Sequence, residues 1–206
     1  MNLFEYDRSL GKRMIIGVDE VGRGCIAGPL LAAAVCIDQR RSQELEELLV
    51  GVGDSKKLTE KKRERLFPLI KEAVDEFVII SKSAACIDDI GIEAANQEAM
   101  KEAILELTIT LGVDSLVLVD GRGLRGDAPE HTPIIKGDGT SAAVACASIL
   151  AKVTRDRFIC EAASDYPGYG WDGNKGYPSP AHKQAVLELG LTPLHRRSFC
   201  SFADKG

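Results

Sequence analysis

MIIGVDEVGRGCIAGPLLAAAVCID, residues 14–38, holds two apolar runs joined by a glycine-rich turn. MIIGVD reads as a buried strand, EVGRGCIAGP as the turn, and LLAAAVCID as a second strand. A parallel crossover needs about a dozen residues or more between its strands, so this connection predicts an antiparallel hairpin. Working outward, 42–50 and 59–75 read as helices on either side of the polar loop GVGDSKK, and EFVIISKSA as a third strand. IEAANQEAMKEAILEL has the apolar spacing of an amphipathic helix, and SLVLVD is a short buried strand that ends at Asp120-Gly121. TPIIKGD is expected as an edge strand. SAAVACASILAKVTRDRFICEAA, from Ser141 to Ala163, predicts a helix whose small side chains allow close packing on a sheet. The loop DYPGYGWDGNKGYPSP and a helix from Ala181 to Leu189 complete the chain. A meander followed by alternating strands and helices implies an α/β three-layer domain with a mixed central sheet, 1–206 as one unit.

With 45% hydrophobic and 28% charged residues in 206, the chain has the composition of a soluble globular protein. No stretch approaches the roughly 18 apolar residues of a membrane span, and MNLFEYDRSLGKR has no secretory pattern. Six scattered cysteines without a C-x-x-C pair read as reduced, mostly buried thiols, which points to a cytoplasmic protein. The net charge of −5 does not by itself favour nucleic acid, so any such binding must rest on where charges lie.

Four acids stand out by position. Asp19 and Glu20 end the first strand, Asp120 ends SLVLVD, and Asp156 lies on the small-residue helix. Brought to one sheet edge, they would repel one another unless cations neutralised them, and an all-oxygen site suits Mg2+ or Mn2+. Two such ions about 4 Å apart can activate a water and stabilise the leaving oxygen in phosphodiester cleavage. Each acid also has a plainer reading. Asp120 is placed to cap an Asp-Gly turn, and Asp156 to pair with Lys152 one helical turn earlier. Asp19 and Glu20 point to opposite faces of a regular strand, so both serve one site only if the strand ends or bends there. Gly22, Gly24 and Gly28 after a strand loosely suggest a dinucleotide fingerprint. That pattern needs a helix next and an acid about 20 residues on, whereas here Pro29 and a strand follow and Asp38 comes too early.

GVDEVGRGCIAGPLLAAAV, DSKKL, LVDG, SAAVACASILAKVTRDR, NKGYPSPAHKQAV and LHRRSF resemble, in order and spacing, the blocks of the ribonuclease HII family, from residue 14 to about 199. The resemblance implies a ribonuclease H-like fold with a C-terminal helical extension over about 180–206. It implies metal-dependent cleavage of the RNA strand of RNA–DNA hybrids, and cuts 5′ to ribonucleotides embedded in duplex DNA that leave 3′-hydroxyl and 5′-phosphate ends. The family's acidic residues fall on Asp19, Glu20, Asp120 and Asp156, and its junction reader on Gly22, Arg23, Gly24 and Tyr177. Glycines let the backbone approach a 2′-hydroxyl, and a tyrosine ring can pack on the next sugar. Without the resemblance, Tyr166, Tyr169 and Trp171 are equally suitable rings.

Lys56, Lys57, Lys136 and Lys175 lie in loops near these blocks and are candidates for phosphate contacts, whereas Lys61 through Arg65 read as a solvated helix face. His182 and LHRRSF suit either packing of the last helix or a substrate contact. A non-catalytic binder would gain by losing acids near phosphates, which favours an enzyme. The related ribonuclease HIII carries an extra N-terminal domain, and with 13 residues ahead of Met14 the HII type, acting as a monomer, is expected.

Overall fold

The computed structural model describes residues 1–112 and 114–203. The hairpin is present: β1 (Met14–Val21) and β2 (Leu30–Asp38) pair antiparallel, Met14 with Asp38 through Val21 with Leu31. β3 (Glu76–Lys82) adds antiparallel to β2, and β4 (Ser115–Asp120) parallel to β1. β5 (Thr132–Ile134) pairs parallel with β4, which makes a mixed sheet in the order β3-β2-β1-β4-β5.

Helices cover both faces. α1 (Leu3–Ser9), α2 (Ser42–Leu48), α3 (Glu60–Ala73) and α6 (Ala142–Ala162) share one core with Ile15, Val35 and Leu118. α4 (Ala84–Ile90) and α5 (Ile92–Leu111) close the other face over Ile16, Val18 and Val119. The small-residue helix does pack closely. A Cβ on Gly17 of β1 would lie 2.1 Å from the backbone of Ala143 and Val144, so α6 sits directly on the central strand. Short α7 (Trp171–Asn174) and α8 (Pro180–Leu189) form a third core with Ile26, Ile159, Tyr169 and Trp171. Of the expected extension over 180–206, residues 204–206 lie outside the described residues.

Two strand ends differ from the sequence reading, and α1 is an element it did not foresee. The strand expected over TPIIKGD stops at Ile134, because Lys136 adopts φ +57° and Gly137–Gly139 wind into a 3-10 turn. The strand expected over EFVIISKSA stops at Lys82, because the Ser83 side chain accepts the Cys86 N–H and caps α4. α1 carries a capping box, with Asn2 accepting from Glu5 N–H and the Glu5 carboxylate accepting from Asn2 N–H. That Asn-x-x-Glu signal was readable in the sequence.

Candidate active site

The β1–β4 ladder ends at the pair Val18–Val119, while β1 continues to Val21 against β2. Val18 and Val119 face the α5 core, so the alternation of a strand turns the next residues, Asp19 and Asp120, toward α6. Asp19 is buried, accepts the Glu20 N–H at 2.8 Å and is hydrogen-bonded by Ser148 of α6. Asp120 does not cap its own Asp-Gly turn. Its Oδ1 accepts the Gly137 N–H at 2.6 Å, which holds the 3-10 turn against the strand end.

Glu20 lies on the opposite face from Asp19, as the regular pairing of β1 with β2 requires. No bend brings the two together; the missing partner on the β4 side does. Glu20 lines a cavity of about 570 Å³ with Glu93, Asn96, Asp120, Arg122 and Arg125, and also one of about 360 Å³ with Asp19, Ser55, Lys56, Lys152 and Tyr177. It is the lip between them. Asp156 follows Ser148 and Lys152 at four-residue spacing on one face of α6, and its Oδ1 accepts from Lys152 Nζ at 2.8 Å. The helix pairing foreseen in the sequence is therefore real.

Electrostatics single out the strand ends. Burial, then the charges of Glu20 and Asp120, push the Asp19 carboxyl well above its ordinary range. Glu20 is also raised, by burial first, with Arg23 opposing and Asp120 adding to it. Asp138, absent from the sequence reading, is buried beside them and raised by burial and by the charges of Asp54 and Asp120. The signal that could have found it is its position in KGDGT, one turn before the α6 cap.

The rings separate clearly. Tyr166, Tyr169 and Trp171 pack with His182 and His195, and the Tyr169 and Trp171 centroids are 5.3 Å apart. Tyr177 instead lines the Asp19 cavity, with Lys152 Nζ 5.3 Å and the Arg155 guanidinium 5.6 Å from its ring centroid. Burial pushes its hydroxyl up to about 12. Arg23 is half exposed and bonds Glu93 at 2.8 Å.

Lys56 lines the smaller cavity. Lys57 pairs with Asp54 at 3.2 Å, and Lys175 Nζ donates to Asp172 O at 2.7 Å and contacts Cys160 Sγ and Glu60. Lys136 is exposed before the 3-10 turn. Arg63, read as part of a solvated face, folds inward to donate to the carbonyls of Ser55 and Leu58.

A family model described as Ribonuclease HII matches residues 16–202. The chain belongs to the ribonuclease HII family. A Ribonuclease HII of Clostridium acetobutylicum is 44% identical over 197 residues, 96% of this chain and 76% of that one. Among solved structures, the ribonuclease H2 from Pyrococcus horikoshii superposes with a TM-score of 0.74 at 28% identity, over 94% of this chain and 100% of that one. Bst-RNase HIII, solved in complex with Mn2+, shares the fold at a TM-score of 0.77 and 18% identity, over 98% of this chain and 73% of that one. The ribonuclease HII family comprises metal-dependent endoribonucleases that cleave RNA in RNA–DNA hybrids, and this chain is such an enzyme. Among the described residues, no helix is long and apolar enough to cross a membrane, and no cysteine forms a disulfide.

The residues fit a hard divalent ion in donor chemistry: carboxylate oxygens, desolvated and mutually repelling, favour a bound cation. They do not form a closed sphere as they stand. Among the described residues, no three His, Cys, Asp or Glu side chains are grouped to hold an ion. Lys152 occupies one oxygen of Asp156, and the Gly137 N–H one of Asp120.

Proposed function

We propose that this enzyme cuts the RNA strand of hybrids and, at ribonucleotides embedded in duplex DNA, cuts on their 5′ side to leave 3′-hydroxyl and 5′-phosphate ends. The observation that carries the reading is the shared cavity. Asp19 and Glu20, at the open end of the β1–β4 ladder, and the Tyr177 ring line one space of about 360 Å³, which Glu20 joins to a second that Asp120 lines. Asp19, Glu20, Asp120 and Asp156 would hold Mg2+ or Mn2+, with Lys152 released from Asp156. Bound there, a pair of ions supplies an activated water and charge stabilisation at the leaving oxygen.

The protein's own residues orient the strand. Among the described residues, nothing lies within 4 Å of where a Cβ on Gly24 would sit, and its φ is not positive. The fold does not demand glycine there, which leaves the space for a 2′-hydroxyl beside the backbone. Gly22 and Arg23 form the same turn, and Tyr177 packs on the sugar after the scissile ribonucleotide. Lys56, Lys57, Lys136 and Lys175 contact phosphates. The unit 1–206, with 180–206 as its helical extension, acts as a cytoplasmic monomer.

The test is digestion of a duplex carrying one ribonucleotide, with and without divalent metal, with the cut mapped. Cleavage 5′ to the ribonucleotide and only with metal is expected. Tyr177→Ala should lose on the order of tenfold or more in turnover on that substrate, because a displaced phosphate is misaligned, and less on a continuous hybrid. A cut elsewhere, or equal losses on both substrates, sinks the reading.

A further inference from the structure

Two buried guanidiniums and one buried imidazole lie behind the glycine turn and Tyr177. Arg155 and Arg196 have no exposed surface. Arg155 donates to Pro29 O at 3.0 Å, Ala27 O at 2.9 Å and Lys175 O at 2.9 Å, so one side chain ties the glycine turn to the tyrosine loop. Arg196 donates from Nε and Nη2 to Gly28 O, at 3.1 and 2.9 Å, and from Nη1 to Arg23 O at 3.2 Å. Nearly every bond of both forks runs to a backbone carbonyl of the segments that would read the junction.

The third member fixes Tyr177 itself. Trp171 Nε1–H donates to His182 Nε2 at 2.9 Å, which puts the imidazole proton on Nδ1, 2.9 Å from Tyr177 O. The segments also meet backbone to backbone. Ile26 N–H donates to Gly176 O at 3.0 Å, and a Cβ on Gly176 would lie 2.4 Å from Ala27 O.

We infer that Arg196, which fixes the shape of the glycine turn, Arg155, which ties that turn to the Tyr177 loop, and His182, which holds Tyr177 O, are positioning residues that together set the distance between the turn and Tyr177, and through it the preference for a single embedded ribonucleotide. This rests on the proposed function. None of the three touches substrate. Their effect is to hold carbonyls that the turn's positive-φ backbone would otherwise leave unsatisfied, in a geometry that a fork can serve and a point charge cannot.

The test is Arg196→Lys, with kcat and KM measured on a duplex with one ribonucleotide and on a continuous RNA–DNA hybrid. A lysine keeps the charge and reaches fewer carbonyls. The ratio of kcat/KM between the two substrates should fall on the order of tenfold, with the hybrid value nearly kept. Equal losses on both substrates would overturn the positioning role. Should Arg196→Lys fail to fold, His182 provides the second arm. His182→Asn can retain a donor at the Nδ1 position and should keep the ratio, whereas His182→Gln removes it and should lower the ratio. Identical ratios for these two variants would overturn the role equally. A wild-type enzyme that cuts the hybrid but not the single ribonucleotide overturns the function reading as well, so the two failures are told apart by the wild-type arm.

Discussion

The carboxylate edge of the smaller cavity and the arginine pair buried behind Tyr177 face opposite kinds of partner. On the β1–β4 side, Asp19 and Glu20 are desolvated next to Asp120; the charges of Glu20 and Asp120 raise Asp19, and that of Asp120 raises Glu20. On the Arg155–Arg196 side, buried charges meet carbonyl after carbonyl at 2.9 to 3.2 Å. Burial disfavours the charged form of the acids and also of Arg196, whose pKa it lowers to about 10; the acids face like charge and so favour a bound cation, whereas the guanidiniums face carbonyl oxygens and hold loops still. Frustration and rigidity are segregated within one site, as a reaction centre beside a fixed template requires.

The largest way to break the contrast is to neutralise the acids. Asp19→Asn, Asp120→Asn and Asp156→Asn should each lower cleavage by about a thousandfold, the equivalent of the several kcal/mol a catalytic metal supplies. Thermal melts in the presence of a chelator should show Asp19→Asn no less stable than the parent, since it removes a desolvated carboxyl that Glu20 and Asp120 repel. A variant of Asp120 with near-normal turnover at saturating magnesium would reduce that residue to its bond with Gly137.

Asp7 sharpens the comparison, because it is a buried acid away from the others. Its Oδ2 accepts the Ala143 N–H at 3.0 Å at the start of α6, and its Oδ1 has no hydrogen-bond partner among the described residues. Burial raises its pKa to about 6 from 3.8, against hydrogen bonds from Ser141, Ala143 and Ala142 that lower it. The folded state thus keeps this proton between about pH 4 and 6, where the unfolded chain has lost it. Its stabilising effect is complete below the unfolded value and is lost as pH rises through the folded one. Denaturant titrations should show the stability of wild type falling relative to Asp7→Asn by about 2 kcal/mol from pH 4 to 7. A constant difference would place the proton elsewhere.

The smallest expected effects separate two glycines of one turn. Gly22 has φ +94°, and a Cβ there would lie 2.5 Å from Arg155 Nε, so Gly22→Ala should destabilise the fold by about 1–3 kcal/mol. Gly24→Ala should leave stability within about 0.5 kcal/mol, since its surroundings are open. Its cost should appear in KM for the ribonucleotide duplex. Gly24→Ala that destabilises without touching KM would mean the open space is not a substrate position.

Much of this molecule was legible in residue order. The short link between Val21 and Leu30 permits only a hairpin, and the alanine-rich run of α6 foretold its close approach at Gly17. The acids were marked by ending apolar strands, and the pairing of Lys152 with Asp156 by its four-residue spacing. The hairpin and the Lys152–Asp156 pair depend on neighbours a few positions away, where chain geometry alone sets the contact, and the close packing of α6 is written in the small residues of its own run. The structure decided what separation in sequence hides. Tyr177 faces the cavity while Tyr169 and Trp171 fill a core, because α8 and His195 return to cover the latter pair. Glu20 reaches the acids because β4 stops pairing with β1 at Val119. Arg196 grips Gly28 across 168 positions, and Asp7 holds α6 across 136. Such contacts arise only when packed layers bring distant segments together and exclude water, so that a buried charge must take whatever partner the fold presents.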